Sequence, residues 1–351
     1  MPDDVKTIIP KNNLFLLGQE KAEQILLESW KNNSMHNSWL FCGPAGIGKA
    51  TLAYRFAKFL LAADENKKEN YTNIELSENN PVCKLVVNNA HPDLKVIERD
   101  YTETDKRKIL RAIKEGDALS DEELQGLKKS AFIRVDEVRT INEFLSKKSA
   151  DNHWRVVIID SIDDMNTASA NAVLKILEEP PVKSILILIS HNPGRLLPTI
   201  KSRCAKLLLP PLENNVVASL LRRYRPELNE KQIQGLTSIS AGSIGKALMY
   251  ADNNALHYYD ELSNLVYAKE KFKVADLLAF CENAIKDETV FAFVQELIFK
   301  FITDNMTHSA QTEELFSVWE QAVKSFDETA RLNLDKKQVL LNIIYGLIKA
   351  I

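Results

Sequence analysis

The segment Gly43-Pro-Ala-Gly-Ile-Gly-Lys49 has the spacing G-x-x-x-x-G-K. Its chemistry is phosphate binding: glycines let successive backbone N–H groups wrap an anion, and the lysine reaches the terminal oxygens. Gly43, Gly46, Gly48 and Lys49 are the candidate nucleotide ligands. The next residue of such a loop carries the hydroxyl that ligates Mg²⁺, but here it is Ala50, whose methyl coordinates nothing. Thr51 follows about 100° further round a helix and would serve only with local distortion. The second half of such a site is an apolar strand ending Asp-Glu, one carboxylate for the metal and one for the attacking water. Val156 to Asp160 supplies the Asp, while Ser161 stands in the place of the Glu. A serine hydroxyl is no base near neutral pH without an activating partner. Asp163 and Asp164 come next, where they are expected to favour a helix N-terminus rather than replace the missing Glu. Two defects in one site predict that ATP is not hydrolysed. Binding without turnover, and a loop that keeps its shape with no nucleotide, both stay open.

The flanking pattern supplies the elements that such a site needs. Residues 38–42 form a short apolar run that reads as a buried strand, and from Thr51 to Ala63 apolar residues recur at helical spacing. Strand, glycine-rich loop, helix is the predicted order. The runs 156–159 and 185–189 have the unbroken apolar character of parallel strands covered on both faces. A helix from Thr167 to Glu179 lies between them, stopped by Pro180 and Pro181. Alternation of this kind predicts a parallel α/β sheet with its site at the strands' carboxyl ends. The charge-rich stretch 99–129 interrupts it and reads as a solvated helical insertion. Beyond Pro210 and Pro211 no strand-like run remains. Residues 215–223 and 230–239 read as short helices of a small domain. The last hundred or so residues are helical, with Val294, Leu297, Ile298, Phe301 and Ile302 on one apolar stripe and Leu340, Ile344, Leu347, Ile348 and Ile351 on another.

Composition narrows the function classes. The 351 residues are 45% hydrophobic and 26% charged, values of an ordinary folded protein. A net charge of −3 lacks the positive field of a chain that holds DNA by itself, so any DNA contact is expected to be shared with partners. The four cysteines are too dispersed for a disulfide framework. No leader and no apolar run of membrane-spanning length is apparent, so the expected location is the cytoplasm.

The segment Asn171-Ala-Val-Leu-Lys-Ile-Leu-Glu-Glu-Pro-Pro181 is similar to the N-A-L-L-K-x-L-E-E-P-P segment of bacterial clamp loaders, and Ser202-Arg203-Cys204 matches their S-R-C motif. His91-Pro-Asp-Leu94, Ile133-Arg-Val-Asp136 and Gly242-Ser-Ile-Gly-Lys-Ala-Leu248, the last like a sensor-2 segment, fall in the same order as in that family. The chain thus resembles AAA+ subunits of the bacterial sliding-clamp loader from Gly18 to about Leu248, and among them the delta-prime type of DNA polymerase III. The resemblance implies an AAA+ domain over 1–208, a helical lid over 209–252 and a helical collar over 253–351 that joins subunits into a ring. It implies tau/gamma-type motor subunits and a delta subunit as partners, with the sliding clamp and primed DNA met through the assembly. In that family the S-R-C arginine enters a neighbour's ATP site, so Arg203 is the expected finger acting in trans. A polar sensor of the γ-phosphate ends the third strand, which points to Ser190 or His191. Lys246 is the lid candidate, because Gly245 stands where motor subunits carry the sensing arginine.

The defects at Ala50 and Ser161 favour the stationary subunit over a motor, and make the chain a subunit of the polymerase holoenzyme rather than an enzyme alone. Retained glycines, Lys49 and Asp160 support the alternative, an ATP-hydrolysing motor subunit. A P-loop kinase or recombination ATPase predicts no S-R-C motif. The departure from the family lies between the loop helix and His91, where related subunits commonly carry four cysteines and this chain has only Cys83. A structural zinc site normally needs four ligands and His91 adds at most a second, so no metal is expected.

Overall fold

A computed structural model describes residues 8–115, 127–147, 154–268, 272–306 and 312–351. It divides into two compact units, with the break between Glu213 and Asn214.

The first unit is a five-stranded parallel sheet in the order β2-β3-β4-β1-β5, the parallel α/β sheet that the sequence predicts. In chain order its elements are α1 (Glu20–Lys31), β1 (Ser38–Cys42), α2 (Lys49–Ala62), α3 (Pro81–Val87), β2 (Leu94–Glu98), α4 (Glu103–Glu115), α5 (Val135–Ser146), β3 (Arg155–Asp160), α6 (Thr167–Glu178), β4 (Ser184–Ser190), α7 (Pro198–Lys201) and β5 (Ala205–Leu208). The three inner strands are the unbroken apolar runs of the sequence. Side chains alternate across a strand, and this sorts the core into two layers. Trp39, Phe41, Ile158, Ile185, Ile187 and Ile189 pack beneath α1 and α2. Leu40, Val157, Ile159, Leu186 and Leu188 meet Val138 and Ile141 of α5 and Val173 and Ile176 of α6 on the opposite face. The chain leaves β1 to cross over β4 and β3, and later crosses back over β1 to reach β5. That reversal puts the carboxyl ends of β1 and β4 where α/β sheets bind ligands.

β2 and β5 are edge strands. Leu94-Lys-Val-Ile-Glu98 and Ala205-Lys-Leu-Leu208 mix lysines with apolar residues because one side of each is open, and Leu208 is 73% exposed. Of the charged insertion, α4 is helical as expected, and Tyr101 bridges Lys129 in antiparallel fashion at its base; residues 116–126 lie outside the described residues.

The second unit is all helical: α8 (Asn214–Tyr224), α9 (Glu230–Ile239), α10 (Ile244–Asp252), α11 (Ala255–Tyr267), α12 (Val274–Ala284), α13 (Glu288–Met306), α14 (Thr312–Leu332) and α15 (Lys336–Ala350). The α13 stripe Val294, Leu297, Ile298, Phe301 and Ile302 is buried throughout. On α15 the expected stripe needs a correction: Leu340, Ile344 and Leu347 are buried, but Ile348 and Ile351 are only half-buried and Ile343 completes the inner face. No helix among the described residues is long and apolar enough to cross a membrane.

Candidate functional site

The glycine-rich loop leaves β1 at Cys42 and enters α2 at Lys49. Two of its glycines are required by space and backbone. A Cβ on Gly43 would sit 2.3 Å from the carbonyl oxygen of Leu209, and one on Gly48, at φ 101°, would sit 2.8 Å from Leu16. Buried Gln19 braces the loop from outside, its amide donating to the carbonyls of Ile47 at 3.3 Å and Pro210 at 3.1 Å. Lys49 is buried, and its ammonium donates to the loop's own carbonyls, at 2.6 Å to Gly43 and also to Pro44. Burial lowers its pKa to about 8, with Asp160 and Asp163 opposing the shift. Ala50 packs against the core and Thr51 is buried at the start of α2.

Asp160 closes β3 and pairs in register with Glu98 on β2. Burial first, and the like charge of Glu98 second, push its carboxyl up to about 6, against the pull of Lys49. It lines a cavity of about 410 Å³ together with Tyr54, Glu98, Lys95 and His91.

Asp163 does more than the sequence predicts. It lies, as expected, in the first turn of a short 3-10 helix, Ile162–Asp164, but its carboxylate also binds that turn to the end of β4. Ser161 Oγ donates to it at 2.8 Å, Ser190 Oγ at 2.9 Å, and the backbone N–H groups of His191 and Asn192 at 2.5 and 3.2 Å. Burial would raise its pKa, but these four donors outweigh it and hold the carboxyl below the ordinary range. Asp164 lies 3.1 Å from the guanidinium of Arg99. Both acidic residues after the strand are therefore engaged, and neither stands free to orient a water in place of the missing glutamate.

The other candidates fall as follows. Ser190 is fully buried with its hydroxyl on Asp163. Burial, and then the charge of Lys49, lower the pKa of the His191 imidazole. Lys246 lies in the second unit, in the first turn of α10 capped by Ser243, with its ammonium 2.9 Å from Glu296. Arg203 follows α7; its Nη2 is 2.8 Å from Glu178 Oε1 and its Nη1 donates to the carbonyl of Thr199 at 3.0 Å. Glu178, Glu98 and the clamping part played by Asp163 escaped the sequence reading. Only Glu178 had a signal there, as one of two carboxylates ending a helix where the backbone is already negative.

Between α2 and β2, Cys83 is buried, and among the described residues no group of three or more His, Cys, Asp or Glu side chains could hold a metal ion. An aromatic cluster organises this stretch. Trp30, Phe59 and Tyr71 meet edge to face with centroids 4.9 to 5.4 Å apart. The Lys68 ammonium lies 4.8 Å from the centre of the Trp30 ring, and the Tyr71 hydroxyl accepts from the backbone N–H of Asp64 at 3.0 Å.

As a nucleotide cradle the site fits in part. The loop backbone suits an anion, but Ala50 gives a metal no hydroxyl and Ser161 gives a water no base, so no hydrolytic step follows from it.

The chain is 31% identical to the DNA polymerase III delta-prime subunit of Pseudomonas aeruginosa over 63% of its own length and 58% of that protein. It is 28% identical to the delta-prime subunit of Bacillus subtilis over 58% and 51%, and 26% identical to the tau/gamma subunit of Haemophilus influenzae over 69% and 31%. It thus spans about half the length of these delta-prime relatives. A solved structure of a gamma-subunit-related protein of DNA polymerase III from Thermotoga maritima superposes with a TM-score of 0.50 at 18% identity, covering 92% of this chain and 99% of that one, a likeness of fold. The family model described as DNA polymerase III, delta subunit, matches residues 18–213. With more than half of its length matched by that model, the chain belongs to the DNA polymerase III delta-subunit family.

Proposed function

We propose that this chain is the stationary, delta-prime-type subunit of a DNA polymerase III clamp loader, assembling with tau/gamma-type motor subunits and a delta subunit to place the sliding clamp on primed DNA. The observation that carries the reading is the engaged Asp163. With Ser161, Ser190 and two backbone N–H groups on its carboxylate, Asp163 does not take over the water-activating part that Ser161 leaves unfilled. Its own loop is then a binding element, with Gly43, Gly46, Gly48, Lys49, Thr51 and Asp160 holding ATP that is not turned over. Arg203 acts elsewhere, as a fixed cation on the charge that develops on a phosphoryl group in the neighbouring subunit's site. The helices after Pro211 serve as the lid, within 209–252, and as oligomerising collar over 253–351.

A motor-type reading has one specific support, the likeness to tau/gamma subunits combined with the retained Lys49 and Asp160. ATP turnover by the isolated chain separates the two. The stator reading expects none above a Lys49→Ala control, together with co-elution in a complex with the motor and delta subunits. Turnover that saturates with ATP and vanishes in Lys49→Ala would establish the motor instead.

A further inference from the structure

Arg203 is not a loose surface side chain. Its guanidinium is held by Glu178 Oε1 at 2.8 Å from Nη2 and by the carbonyl of Thr199 at 3.0 Å from Nη1, with the adjacent Ser202 Oγ 3.4 Å from Nη1. The first two partners sit on short, fixed pieces of structure. Glu178 is the last residue of α6, which runs into Glu179, Pro180 and Pro181. Thr199 belongs to α7, which buried Ile200 anchors to the core.

The charge pattern explains the pairing. A helix C-terminus carries a partial negative charge, so two consecutive glutamates there are unfavourably placed unless a cation lies beside them. Arg203 supplies it. A guanidinium has five N–H donors in one rigid plane. Contacts to Thr199, Ser202 and Glu178 use Nη1 and one N–H of Nη2, and leave Nε–H and the second Nη2 N–H in that plane for another anion, on a side chain that remains 35% exposed.

We infer that Glu178 is a positioning residue for Arg203, fixing the plane of the guanidinium so that its remaining N–H groups meet a phosphoryl oxygen of the adjacent subunit. This rests on the arginine-finger reading. Orientation is set before the neighbouring site is engaged, and pre-set orientation is worth most in the transition state, where the charge develops. Glu178 is 48% exposed, and a solvated ion pair of this kind adds little to folding stability. Its loss is therefore read in turnover, not in the melting temperature.

The test is a double-mutant cycle in the reconstituted loader with clamp and primed DNA, using Glu178→Ala, Glu178→Gln, Arg203→Ala and Glu178→Ala/Arg203→Ala. Glu178→Ala is expected to lower kcat of the arginine-dependent part about tenfold with KM unchanged. Glu178→Gln, which keeps an acceptor without the charge, falls between it and the native chain. In the Arg203→Ala background Glu178→Ala has no further effect, and all variants melt with the native chain. An Arg203→Ala loader as fast as the native one overturns the finger reading itself. If Arg203→Ala is slow while Glu178→Ala is not, or if Glu178→Ala slows the Arg203→Ala loader further, Glu178 does not act through Arg203 and the inference is wrong.

Discussion

Ser190 Oγ donates to Asp163 Oδ1 at 2.9 Å, across the gap between the end of β4 and the turn that follows β3. The bond joins two strand ends where a nucleotide site would place its sensor and its water-activating carboxylate. In this chain the two groups satisfy each other. Removing the carboxylate takes the acceptor from the hydroxyls of buried Ser161 and Ser190 and from two backbone N–H groups, so Asp163→Ala is expected to cost on the order of 2–4 kcal/mol, read as a lower melting temperature. Because the folded pKa of Asp163 is depressed, its contribution is present above the unfolded value near 4 and is lost as pH falls through the folded one. The stability gap between native chain and Asp163→Asn should hold from pH 8 to about 5 and close in more acid solution. A gap that stays constant into acid would contradict the clamp.

Asp160 behaves in the opposite sense. Burial and Glu98 raise its carboxyl to about 6, so the folded chain favours the protonated form. No cost is felt below the unfolded pKa, and the full cost is reached once pH exceeds the folded one. Asp160→Asn should therefore stabilise the chain at pH 8, by up to ~3 kcal/mol, with the gain vanishing towards pH 4. Chemical denaturation at the two pH values checks this, and a gain independent of pH would place the cause outside the carboxyl charge.

Stability between α2 and β2 should depend on aromatic packing. Tyr71→Ala opens the cluster with Trp30 and Phe59 and should cost about 2–3 kcal/mol, whereas Tyr71→Phe loses only the bond from Asp64 N–H, about 1 kcal/mol. Thermal unfolding with and without a chelator completes the test. A melting temperature that drops on chelation would mean that metal, not the rings, organises this stretch.

The inner sheet was legible because β1, β3 and β4 are covered on both faces and read as unbroken apolar runs. The edge strands were not, since Lys95 and Lys206 interrupt them in the way that solvated edges permit. Gly43 to Lys49 announced its geometry through residue type alone. The loop lysine's turn onto its own carbonyls, and the clamp at Asp163, depend on partners more than twenty residues away or on loop shape, which spacing does not encode. On α15 the inner face takes Ile343 rather than Ile348, because adjacent apolar pairs such as Ile343-Ile344 and Leu347-Ile348 let periodicity alone fit more than one face.

The proposed function turns on Arg203 acting at a neighbour's ATP. Clamp- and DNA-stimulated ATP hydrolysis by the reconstituted loader, with native chain or Arg203→Ala and assembly verified by size, tests it most directly. Loss of a fixed cation at a phosphoryl transition state costs about 10³-fold or more at the affected site, so the Arg203→Ala loader should lose that site's whole share of turnover while the complex stays intact. Unchanged turnover from an intact complex would contradict the claim and leave the chain an architectural role alone.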